Sequence, residues 1–120
     1  MSKNSDPLDF EIAFFEGLLA RCPGFWQALE ALGEAYTRQG MYAKGLEADL
    51  KLAALRPLDE YAHYNLACDY ALLRDPSQSL KSLEKAIVLG YRDFRRMEKD
   101  PDLESLHHHP AFRALIAKYR

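Results

Sequence analysis

At 120 residues, 48% hydrophobic and 28% charged, the chain has the length of one domain and the composition of an ordinary soluble globular protein. A formal charge of -2 and a pI near 6.1 argue against the basic face of a nucleic-acid platform. No apolar run approaches the roughly 20 residues that span a bilayer, so no membrane insertion is expected.

The N-terminal Met1-Ser2-Lys3-Asn4-Ser5-Asp6 lacks an apolar signal core, and the expected location is cytoplasmic. Cys22 and Cys68 have no metal-ligand spacing and read as reduced thiols. Charge is divided unevenly: residues 1–60 hold 6 basic against 10 acidic side chains, a net −4, and residues 61–120 hold 10 against 8, a net +2. The acidic half could steer a basic ligand or be no more than a solvated surface.

Residues 1–5 are expected to be disordered. Asp6-Pro7 supplies an N-cap and a proline at the first helical position. Phe10, Phe14, Phe15, Leu18 and Leu19 then follow at helical spacing up to Cys22-Pro23. Ile12, Phe15, Leu18 and Leu19 are the positions expected to turn inward. A second helix begins near Trp26, where Leu29, Leu32, Gly33 and Tyr36 fall at i, i+3, i+4 and i+7 on one face. Gly33 costs about 1 kcal/mol of helix propensity relative to Ala, which points to a packing reason for it.

Gln39-Gly40 gives a left-handed turn. A third helix follows with Tyr42, Leu46, Leu50, Leu52, Ala53 and Leu55 before Arg56-Pro57 stops it. The next segment repeats the pattern: Leu66, Ala67 and Tyr70, a turn at Arg74-Asp75-Pro76, then Leu80, Leu83, Ala86, Ile87 and Leu89. Asp75 can cap and Pro76 can start that helix, and Gly90 reverses the chain after it. Beyond Asp93 the regularity fails. Phe94-Arg95-Arg96-Met97 starts a helix that Asp100-Pro101 interrupts. One turn over Pro101 to Leu106 and a helix from Pro110 to about Tyr119, with Phe112, Leu115 and Ile116 on one face, complete the chain.

Leu32 and Leu66, Tyr36 and Tyr70, Leu46 and Leu80, Leu55 and Leu89, and Pro23 and Pro57 are each 34 positions apart. With the small residue at Gly33 and Ala67 and the closing proline, the chain resembles the tetratricopeptide repeat family over residues 10–93. It departs from that pattern at Glu11, Gly45 and Ser79, where a small alanine is usual, and at Asp49, where an aromatic residue is usual. The resemblance implies an all-α fold, a short right-handed helix-turn-helix solenoid in a single domain. Its parts would be an N-terminal half repeat at 7–22, full repeats at 26–59 and 60–93, and a degenerate C-terminal cap at 94–120.

The resemblance also implies a non-catalytic adaptor or scaffold that binds a peptide segment of a protein partner in a concave groove. Groove positions carried over residue by residue are Gln27, Glu30, Glu34, Thr37 and Arg38 from the first repeat. Tyr61, Tyr64, Cys68, Ala71 and Leu72 come from the second, and Arg95 and Glu98 from the truncated third. Glu30 and Glu34 stand where chaperone-tail binders carry groups that grip a carboxylate, and they would repel one. They read as a receptor for Lys or Arg or as a solvated face. Tyr61 and Tyr64 are of the residue type in which interfaces concentrate binding energy.

The alternative is a self-associating module, a homodimer through Phe10, Phe14 or the Phe112-Leu115-Ile116 face. A metal protein or enzyme built on His107-His108-His109 is the weakest reading, because three consecutive side chains cannot share one side of a helix. His63 reads as a packed histidine. No phosphate loop, nucleophile elbow or paired catalytic carboxylate is apparent, so no catalytic, cofactor or metal residue is assigned.

Overall fold

A computed structural model describes residues 6–120, and the expected disorder of residues 1–5 lies outside them. All regular elements among the described residues are helical. They divide into two compact units that meet in sequence at Arg56 and Pro57.

The first unit contains α1 (Pro7–Arg21), α2 (Trp26–Arg38) and α3 (Tyr42–Leu55). Asp6 caps α1 by accepting from the Leu8 amide at 2.9 Å, with Pro7 at the first turn. The hairpin between α2 and α3 turns at Gly40, whose φ of +81° is the left-handed conformation its missing Cβ permits. The core is Ala28, Leu29, Leu32, Ala35 and Tyr36 of α2 against Ala48 and Leu52 of α3. The expected inward residues of α1, namely Ile12, Phe15, Leu18 and Leu19, are half-buried, and no residue of α1 is fully covered. Leu50 and Leu55 are exposed. The buried stripe of α3 runs through Gly45, Ala48, Asp49 and Leu52, spaced i, i+3, i+4 and i+7, which turns both leucines outward.

Gly33 has its packing reason here. A Cβ at that position would stand 2.5 Å from Oδ1 of Asp49, which is itself buried. A carboxylate thus occupies the space that a larger residue at position 33 of α2 would need.

The second unit contains α4 (Glu60–Leu72), α5 (Pro76–Val88), α6 (Phe94–Lys99), a 3₁₀ helix η1 (Pro101–Leu106) and α7 (Pro110–Tyr119). Asp59, Asp75 and Asp93 each cap a helix through the side chain. Where α4 and α5 pack together, the Ser79 hydroxyl donates to the Ala67 carbonyl at 2.6 Å, which satisfies a buried polar group. Arg74 takes φ +63° in the turn, one period after Gly40.

One core joins α4 and α5 to the C-terminal helices, with Leu83, Ala86 and Ile87 against Met97, Leu103, Leu106 and Phe112. Phe112, Leu115 and Ile116 are all buried in it, so this face is not open for the self-association expected of it. The helix is amphipathic as read, and its apolar side is used inside the unit. Among the described residues no helix is long and apolar enough to cross a membrane.

Candidate functional site

On α2, Gln27, Glu34 and Arg38 are exposed, and Glu30 and Thr37 are half-buried. Thr37 turns its hydroxyl back to the Gly33 carbonyl at 3.1 Å, a helix-internal bond. Arg38 reaches α1 and pairs with Glu11 at 3.1 Å between two exposed side chains. Glu30 and Glu34 stand one turn apart as a like-charge pair, so this part of the surface offers carboxylates to a cationic group.

Gln39 donates to Asp9 at 2.6 Å, and the Tyr36 hydroxyl donates to Glu16, tying α1 to the end of α2. Burial first, and then the bond to Glu16, push the Tyr36 phenol well above its ordinary pKa. A cleft of about 420 Å³ opens beside these residues, walled by Leu19, Leu29, Tyr36, Lys44, Glu47 and Lys51 among others.

On α4 the expected groove residues separate into two classes. Tyr61 is 58% exposed and Leu72 is half-buried; Arg95 on α6 is exposed, as is Glu98, which is held by Arg120 through two bonds of 3.0 Å. Tyr64, Cys68 and Ala71 are buried, which corrects their assignment to an open groove. The cause is the C-terminal segment: η1 packs across α4 and covers the face that a partner was expected to use. Tyr64, 3% exposed, donates from its hydroxyl to Asp100 Oδ2 at 2.7 Å and stacks on Tyr91 at 4.3 Å with the rings 7° from parallel. Tyr61 meets the other side of this group, its ring edge-on to Tyr91 at 5.8 Å.

Asp100 is the centre of the covered region. It caps η1 by accepting from the Asp102 amide at 3.0 Å, and it takes the Tyr64 hydroxyl, the Cys68 thiol at 3.9 Å and the Arg96 Nε at 3.5 Å on its other oxygen. Burial, followed by the charge of Asp100, pushes the Cys68 thiol well above its ordinary pKa and holds it neutral. The same two influences raise Asp102. Ligand atoms of Cys68, Asp100 and Asp102 lie within 4.8 Å of one another. With Asp100 already accepting from four donors and the thiol kept protonated, the cluster acts as a hydrogen-bonded joint between α4 and the cap.

The histidine tract divides by role. The His107 ring is 3.1 Å from the Met97 carbonyl and tilts against Phe112; His109 Nδ1 accepts from the Ala111 amide at 3.2 Å and caps α7; His108 is exposed. His63 is half-buried and bonds the Pro57 carbonyl at 2.8 Å. Sequence reasoning passed over Leu58, 75% exposed just before α4, and the Arg96 guanidinium over the Tyr64 ring at 5.8 Å. An apolar residue between Pro57 and the Asp59 cap was the available signal for the first; nothing local signalled the second.

Over 72% of its length the chain is 34% identical to part of a chloroplastic protein of Arabidopsis thaliana. The matched stretch is 27% of that protein, so the chain spans about a quarter of this relative's length. No protein-family model matches the chain.

Proposed function

We propose that the chain is a non-catalytic interaction module of the tetratricopeptide kind, which holds a peptide segment of a partner protein on the exposed faces of its first-of-pair helices. The observation that carries the reading is the agreement of two helical hairpins one 34-residue period apart. Gly33 and Ala67, and Gly45 and Ser79, are buried in register, and Gly40 and Arg74 both turn the chain with positive φ. The solenoid expected of such repeats is carried by that period alone.

Within the second unit the contact is Tyr61, with Leu72 and Arg95 among the other groove positions left accessible. An exposed aromatic ring with a rigid aromatic backing supplies contact area at low entropic cost. Within the first unit it is Glu30 and Glu34, which select for Lys or Arg on the ligand.

Affinity capture followed by an array of overlapping peptides from the captured protein tests the reading. One linear segment is expected to bind, about 10-fold more weakly to Tyr61→Ala, with thermal stability unchanged. Binding confined to folded partners, or indifferent to both Tyr61→Ala and Glu34→Lys, overturns it.

A further inference from the structure

Helix α1 is apolar on two opposite sides. Leu8, Ile12, Phe15 and Leu19 recur on the side where the half-buried residues cluster, and α2 packs there. About 180° away, Phe10, Phe14, Gly17 and Arg21 form a second stripe at i, i+4, i+7 and i+11. Phe10 is 73% exposed and Phe14 54%, and their rings stack on each other at 6.5 Å. A helix with apolar residues on both sides is ordinarily enclosed on both. Among the described residues only one side is covered.

We infer that this second stripe pairs with the α1 of another copy of the chain, the two helices running antiparallel about a two-fold axis near Ala13 and Phe14. The stripe is self-complementary only in that direction. Setting Phe14 beside Ala13 of the other copy sets Phe10 against its Gly17 and Asp6 against its Arg21. Gly17 lies on open surface, where a Cβ would meet nothing within 4 Å, and having no side chain it leaves room for a phenyl ring of the other copy. Asp6 and Arg21 carry opposite charges at the two ends, so the antiparallel pairing joins unlike charges and a parallel one joins like charges. A symmetric pair uses each of these contacts twice.

The area sets the strength. Two partly exposed phenylalanines and their neighbours amount to well below the ~800 Å² per partner of a standard interface. The pair is therefore a weak, reversible dimer with Kd about 0.1–1 mM, useful where copies are already held close together.

Sedimentation of the full chain from about 10 µM to 1 mM tests this, the upper limit being set by the expected Kd. Wild type is expected to shift from monomer to dimer across that range. Gly17→Leu, which fills open space in the single copy and raises helix propensity, keeps or raises the melting temperature and remains monomeric throughout. In a Cys22→Ser background, Ala13→Cys, beside the axis, forms an intermolecular disulfide on mild oxidation, and the same substitution at Arg21 does not.

Wild type that stays monomeric at about 1 mM overturns the inference, as does a Gly17→Leu protein that dimerises as wild type does, or equal crosslinking at both positions. A monomer that instead binds phosphatidylcholine vesicles through Phe10 and Phe14 also overturns it and assigns the stripe to a lipid surface. Since Tyr61 plays no part in the pairing, loss of peptide binding in Tyr61→Ala and loss of dimer in Gly17→Leu fail independently.

Discussion

The Tyr64 hydroxyl reaches Asp100, 36 residues further along the chain, and closes the C-terminal cap over the middle of α4. The bond is buried, so its removal leaves a buried carboxylate oxygen one donor short. Tyr64→Phe keeps the ring stacked on Tyr91 and deletes only the hydroxyl. Urea denaturation is expected to give a loss of about 1.5–3 kcal/mol, the range for hydrogen bonds to charged groups. Tyr61→Ala on the exposed side is expected to change stability by less than ~0.5 kcal/mol. Equal effects at the two tyrosines would show that Tyr64 is not a joint between α4 and the cap.

Gly33 and Asp49 yield a prediction about sign. Gly33→Ala gains about 1 kcal/mol of helix propensity but drives a Cβ into a buried carboxylate, an overpacking cost of about 1–3 kcal/mol. The net expectation is destabilisation by ~1 kcal/mol. With Asp49→Ala as the background the obstruction is gone and the same glycine replacement becomes stabilising. Denaturant melts of the four proteins in this cycle check it. A Gly33→Ala change that stabilises in both backgrounds would mean that the carboxylate swings clear at no cost.

Much of the architecture was legible because it is local. Helix starts were written in Asp6-Pro7 and Asp75-Pro76, the turns in Gly40 and Gly90, and the buried stripe of α2 in the spacing of Leu29, Leu32, Gly33 and Tyr36. The fate of Tyr64 and Cys68 was not legible for the opposite reason. The tetratricopeptide resemblance implied open groove sites for them, and only the C-terminal segment, folding Asp100 back onto them from 32 to 36 residues away, makes them interior. Phe112, Leu115 and Ile116 were read correctly as one face, but a face carries no statement of what covers it. The buried side of α3 was not legible because it runs through Gly45, Ala48 and Asp49, and large apolar residues do not mark a stripe of small and charged ones.

Arg74 sits in a left-handed turn with an exposed side chain, where Gly40 stands one period earlier. An L-residue with a Cβ costs about 1–2 kcal/mol in this conformation, and glycine forfeits about 0.5–1 kcal/mol of that advantage through the entropy of the unfolded chain. Arg74→Gly is therefore expected to stabilise the protein by about 0.5–1 kcal/mol, and Gly40→Ala to destabilise it by about 1 kcal/mol. Paired thermal melts decide the point. Stabilisation by both changes, or by neither, would show that the two turns do not carry equivalent strain.

The covered joint makes the protein sensitive to alkali. Burial, reinforced by Asp100, holds both the Cys68 thiol and the Tyr64 phenol above their ordinary pKa values. A group whose pKa is raised by folding contributes stability in full below its unfolded pKa. Above that value the unfolded chain loses a proton that the folded chain keeps, and the contribution falls as pH rises.

Cys68 therefore sets the onset at about pH 8.5, and Tyr64 adds to it near pH 10. From about pH 8.5 stability is expected to fall by up to ~1.4 kcal/mol per pH unit for the thiol. Urea midpoints measured between pH 7 and 10.5 under reducing conditions check the onset. Cys68→Ala removes the thiol and is expected to move it to near pH 10. An unchanged onset in that variant would place the alkaline weakness elsewhere in the chain.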